Sequence, residues 1–174
     1  MLFKNKNYIV MVQDILRPLV LDEVLVIKEI IDSKLIIVDA KNTFKAGIHI
    51  GSYIKNNSIN ESSINTKETL VRPLELIKDA EIYEIFDSEN LDKVYFTQAQ
   101  IISFCENYSH QLSQDSSNLF LFKEKGEYFV ANVTMFGGGR NLEVHVVRRL
   151  DRGHIYLGFG SRRVFVPANA TLEA

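Results

Sequence analysis

One cysteine, Cys105, is all the thiol this chain has. That excludes an intrachain disulfide and a cysteine-based structural zinc site, and it fits a reducing compartment. No apolar run approaches the roughly 20 residues of a bilayer-spanning helix. Met1 to Lys6 lacks the basic start, apolar core and small-residue cleavage site of a secretory leader. Cytoplasmic residence with no membrane partner is the expectation. Charge of one sign is also lacking: 20 Lys and Arg stand against 22 Asp and Glu, a formal net charge of −2. The whole molecule therefore has no global pull toward nucleic acid or anionic lipid. Metal-protease helix, phosphate loop, dinucleotide fingerprint and nucleophile elbow are all missing. No cofactor or catalytic residue is expected from motifs.

What is present is a large apolar fraction, 46% of 174 residues, enough to bury a sizeable core. Segments 8–12, 24–30 and 35–38 are dominated by Val, Ile and Leu and read as strands, the last two joined into a hairpin at Asp32-Ser33-Lys34. Residues 42–50 alternate, with Phe44, Ala46, Ile48 and Ile50 set against Thr43, Lys45, Gly47 and His49, and predict a further strand. Short strands at this spacing point to a small barrel-like N-terminal unit over residues 1–96. Within it, residues 55–67 hold only two isolated Ile among Asn, Ser and charges, the pattern of a mobile loop.

The same part contains a possible repeat. Arg17-Pro18-Leu19, Leu21, Ile27, Glu29-Ile30 and Asp32-Ser33 recur 55 positions later as Arg72-Pro73-Leu74, Leu76, Ile82, Glu84-Ile85 and Asp87-Ser88. Pro would fix the entry to each copy and Asp-Ser its closing turn. Chance matching in an Ile- and Glu-rich chain is the competing explanation.

Residues 97–174 predict a helix packed on an antiparallel meander, making the chain α+β and rich in antiparallel strand. Thr97 to Gln100 is a capping-box pattern, and Ile101, Cys105, Tyr108 and Leu112 then share one helical face. Cys105 on that stripe reads as buried filler rather than nucleophile. Strands follow at 119–123, 128–136, 142–150, 154–159 and 163–166, separated by glycine-containing turns.

A two-residue reversal at Arg152-Gly153 would put Val144, Val146, Leu150, Ile155, Leu157 and Phe159 on the core face, joined by Phe129, Ala131, Val133 and Met135, with Arg148 as an exception needing an acidic partner or a route to water. The other face would then gather Tyr128, Asn132, Thr134, Glu143, His145, Arg149, His154, Tyr156, Arg163 and Phe165. From these, Tyr128, Asn132, His145, Arg149, Tyr156 and Arg163 are the candidate binding residues. Aromatics interleaved with Arg suit an anchored protein interface, with another protein or a second copy as partner. They also suit stacking and phosphate contact with nucleic acid, the second reading. A small enzyme using His145 and Arg149 is the third. The four histidines have no close ligand spacing, so no metal site is expected.

Overall fold

The structure is a computed structural model that describes residues 15–31, 34–52, 54, 59–60, 65–86, 91–138, 141–149, 154–155 and 162–168. The strand expected at 8–12 and the side chain of Tyr156 lie outside the described residues. In chain order the strands are β1 (Leu16–Pro18), β2 (Leu25–Ile27), β3 (Ile30–Ile31), β4 (Gly47–Ile50), β5 (Asn65–Thr66), β6 (Thr69–Leu76) and β7 (Ala80–Glu81). They continue with β8 (Ser117–Glu124), β9 (Glu127–Phe136), β10 (Asn141–Arg148), β11 (His154–Ile155) and β12 (Arg162–Pro167). The helices are α1 (Ile82–Ile85) and α2 (Gln98–Asn107).

Eight strands form one mixed sheet in the order β1-β6-β12-β8-β9-β10-β4, with β2 also on β6. Of the five-strand meander expected from the alternation, the first three strands are present, as β8 pairs with β9 and β9 with β10 in antiparallel register, whereas β11 pairs with β7 and β12 lies between β6 and β8. Two parallel pairings were not expected: β12 beside β8, and β4 beside β10. The small N-terminal barrel is a correction, since no closed barrel forms among the described residues. Strands from either side of residue 96 are instead hydrogen-bonded neighbours at β6–β12 and β4–β10.

Both faces of the sheet are covered over its middle, and strand alternation decides which side chain goes where. One face carries Phe120, Phe122, Phe129, Ala131, Val133, Val144, Val146 and Phe165 into a core shared with α2. Phe104 of α2 reaches this face, its ring centroid 4.8 Å from Phe165 and 5.3 Å from Phe120. The opposite face carries Leu119, Leu121, Val130 and Val164 into a second core with Leu74, Leu76, Ile82, Ile85 and Phe86.

The α2 boundary follows its caps. Thr97 Oγ1 accepts the Gln100 amide, Gln100 Oε1 accepts the Thr97 amide, and the helix stops at Asn107 with Tyr108 as its C-cap. A single 3-10 turn over Ser109–Gln111 takes the place of the helix expected to run on to Leu112. Cys105 is buried, and loss of solvation pushes its thiol well up.

Several local expectations fail for identifiable reasons. Among the described residues, segments 24–31 and 35–38 do not pair with each other: β3 pairs with β5, and Ile37–Asp39 is a 3-10 turn held by Gln98, whose Oε1 accepts the Ile37 amide. The strand expected from residue 42 begins only at Gly47. Ile59, read as part of a mobile loop, is 1% exposed, and its carbonyl accepts a bond from Gln98 Nε2. One buried side chain with a partnered backbone suffices to hold that point in an otherwise polar stretch. Asn118, fully buried, organises the polar approach to β8 by bonding Ser113 N and the carbonyls of Ser113, Ser116 and Val133.

The 55-residue repeat is structural only at its start. Arg17–Pro18 lies in strand β1 and its counterpart Arg72–Pro73 in strand β6, but Ile27 is in strand β2 whereas its counterpart Ile82 opens α1. Pro73 sits inside β6 although proline removes a ladder donor. Its carbonyl accepts the Leu19 amide, so its nitrogen side faces the gap between the β1 pairing at 74–76 and the β2 pairing at 69–71. The missing N–H would be the reciprocal donor to Leu19, one residue past the end of β1, so the loss is confined to a single terminal ladder bond.

Candidate functional site

The site is built where β10, the last strand of the meander, meets the edge strand β4. Parallel register places Glu143 opposite Gly47 and His145 opposite His49. Residues two apart on a strand share a face, and neighbouring strands lie about 4.8 Å apart. The four positions therefore make a quadrilateral on one face, with donors at three corners and glycine at the fourth.

The geometry is tight. His49 Nε2 lies 2.9 Å from Glu143 Oε1, and His145 Nε2 lies 3.1 Å from Glu143 Oε2. Both imidazoles donate to a carboxylate that can only accept when ionised. The two rings stack with centroids 4.4 Å apart and planes within 16°. Desolvation pushes the Glu143 carboxyl up, but hydrogen bonds from His145 and His49 more than reverse this and leave it below the ordinary value. Gly47 makes room: a Cβ there would come within 2.8 Å of His49 Nε2 and 3.4 Å of Glu143 Oε1. Both histidines are exposed and Glu143 is half-buried. The donor atoms of the three all lie within 4.8 Å of one another, a set of the type that ligates a metal.

Around this corner the same face carries half-buried Asn132 and Thr134, with exposed Asn141 and Phe136, the last 38% exposed. Asn132 is directly opposite His145 across β9 and β10. Its Oδ1 is shielded from water and has no hydrogen-bond partner.

The chain resembles nothing in the comparisons. No protein-family model, curated protein or solved structure matches it. The reading of the site therefore rests on its geometry.

Of the six residues expected as one binding surface, His145 and Asn132 are brought together on the open corner. Tyr128 and Arg149 share that face but sit at its far end, beyond Val130 and Val147, which pack into the second core. There the Tyr128 hydroxyl donates to Asp92 Oδ1 and Arg149 Nε donates to the Phe86 carbonyl. Arg163 is a correction. It pairs with Asn118 and Glu75 on the α2 side of the sheet, and its guanidinium donates to the Gln111 carbonyl. Burial pulls its pKa below the ordinary value. Phe165, expected on the polar face, is fully buried in the α2-side core. The cause is the register of β12, set by β6 and β8, while the His154 strand leaves β10 to pair with β7. Arg148 has both things it was expected to need: a side chain 35% exposed, and Glu127 with Oε2 3.8 Å from its Nε.

Sequence reasoning missed His49. The available signal was thin: Glu143-X-His145 presents a polar i, i+2 pair, and Gly47-X-His49 presents one histidine with a glycine two residues before it. Nothing local says that they are neighbours.

Proposed function

We propose that this is a non-catalytic binding protein whose working surface is the open corner at β4 and β10, and that a second copy of the chain is its partner. The observation that carries the reading is Phe136. It is a large aromatic left exposed beside Thr134, Asn141 and Glu143, and a central aromatic with a polar rim is the arrangement that concentrates energy in protein interfaces. The edge strand β4, which lies beyond β10 from Phe136, supports the same conclusion. Among the described residues β4 has no neighbour on its outer side, and an unpaired edge is a template for a further strand. Two copies meeting edge to edge about a two-fold axis would each offer the same patch to the other.

The nucleic-acid reading loses its cations here. Arg149 is bonded to Phe86, Arg163 lies on the other face, and no Lys or Arg is among the corner residues named above. The enzymatic reading gains no support from the clefts among the described residues. A cleft of about 490 Å³ near Asn65, Tyr95 and Gln100, and another of about 460 Å³ near Val38, Phe44 and Ile50, are lined by neither His49 nor His145.

Light scattering over a wide concentration range tests the reading. The expected result is a mass that moves from one chain toward two as concentration rises, with Phe136→Ser returning it to one. A single-chain mass at every concentration would overturn it.

A further inference from the structure

We propose that His49, Glu143 and His145 form a binding site for a divalent transition metal of the zinc type. The inference is independent of what the protein associates with, because all three donors come from one chain.

The donor set is the first argument. Two imidazole nitrogens and one carboxylate oxygen are the ligands zinc accepts, whereas magnesium and calcium favour oxygen throughout. The distances are the second. Four-coordinate zinc sits about 2.0–2.1 Å from each nitrogen or oxygen donor, which separates neighbouring donors on a tetrahedron by about 3.3 Å. The Nε2 atoms here lie 2.9 Å from Glu143 Oε1 and 3.1 Å from Glu143 Oε2, so rotation of the two imidazole side chains about their own bonds is what turns both nitrogens toward one ion beside the carboxylate.

Placement is the third argument. The ligands stand on adjacent strands of a sheet, and rigid elements hold a coordination geometry more tightly than loops do. The stacked rings bring both Nε2 atoms to one carboxylate, and Gly47 at the fourth corner keeps side-chain bulk away from the His49 nitrogen. Exposure of both rings leaves the remaining coordination position to water. On binding, each Nε2 gives its lone pair to the metal and its ring proton moves to Nδ1. Glu143 supplies the third donor through a carboxylate oxygen, and no change of oxidation state is involved.

The test is titration of chelator-treated protein with zinc by calorimetry and with cobalt(II) by visible absorption. One metal per chain is expected, with the intense d–d bands of a four- or five-coordinate ion. His49→Ala, His145→Ala and Glu143→Gln should each weaken binding by more than about tenfold, given that even outer-shell partners contribute that much. His110→Ala should change nothing, although His110 Nε2 lies 2.6 Å from Glu23. Circular dichroism establishes that each variant folds, and the ring resonances of His49 and His145 in the unaltered protein should shift with zinc. Absence of binding would overturn the assignment. So would binding that survives in His49→Ala/His145→Ala or is lost in His110→Ala, or histidine resonances that stay fixed at saturating zinc.

Discussion

The Tyr108 hydroxyl treats Val26 as a neighbouring strand would: it donates to the Val26 carbonyl at 3.1 Å and accepts the Val26 amide at 3.2 Å. Those groups lie in β2, whose other side pairs with β6, so the phenol at the end of α2 closes an edge that no strand covers among the described residues. Tyr108→Phe keeps the ring and strands both backbone groups. It should cost about 1–2 kcal/mol in urea denaturation, toward the lower part of the range for unsatisfied groups because the site is only partly buried. The Val26 amide should also lose hydrogen-exchange protection.

Asn118 joins four backbone groups in the fully buried approach to β8. Asn118→Ala leaves those of Ser113, Ser116 and Val133 without the side chain that binds them, and about 3 kcal/mol of stability should go with it. Asn118→Asp retains the acceptor for Ser113 N but turns a buried carboxylate oxygen toward three carbonyls, so at neutral pH it should cost at least as much as alanine. Chemical denaturation of the three proteins decides this.

Asp92, Lys123 and Tyr128 titrate together. Asp92 is held low by hydrogen bonds from Lys123 and Tyr128, while desolvation first, then the bond to Asp92, raises Tyr128. For Asp92 the folded pKa is the lower one. Its stabilisation is present above the unfolded value of about 3.9 and disappears as pH falls through the folded value. For Tyr128 the folded pKa is the higher one, so its contribution is complete below about pH 10 and is lost as pH climbs through the raised value. In Asp92→Asn, Tyr128 should ionise at lower pH than in the unaltered protein. Ultraviolet difference titration, with Tyr128→Phe to assign the signal, reads this out.

Gly47 faces a stricter demand. Gly47→Ala places a methyl group against His49 Nε2, and the ring must swing aside. The measurable result is loss of the ring-current shifts that the stacked His49 and His145 impose on each other, with the β9–β10 pairing retained. Unchanged histidine resonances in the alanine variant would contradict the contact.

Legibility from sequence followed the range of the interaction. Alternation from Phe129 to Met135 and at Val144 and Val146 placed those side chains on the correct face, and the Thr97 capping box was readable because both partners are local. Arg163 was assigned wrongly because hairpin continuity was assumed where β12 instead joins β6 and β8. Ile59 looked isolated because its partners, α2 and the surrounding core, are distant in the chain. The His49, Glu143 and His145 corner was only half visible: the meander half follows from period two, whereas the β4 half depends on a parallel pairing that leaves no local signature.

That same pairing has a kinetic corollary. His49 and Glu143 are 94 positions apart, so the entropy of closing so long a segment must be met before β4 gains anything from β10, while β8, β9 and β10 can zip up from adjacent turns. Assembly of the corner should come late in folding, and in the native protein β4 should be among the first segments to detach, carrying one of the two stacked rings with it.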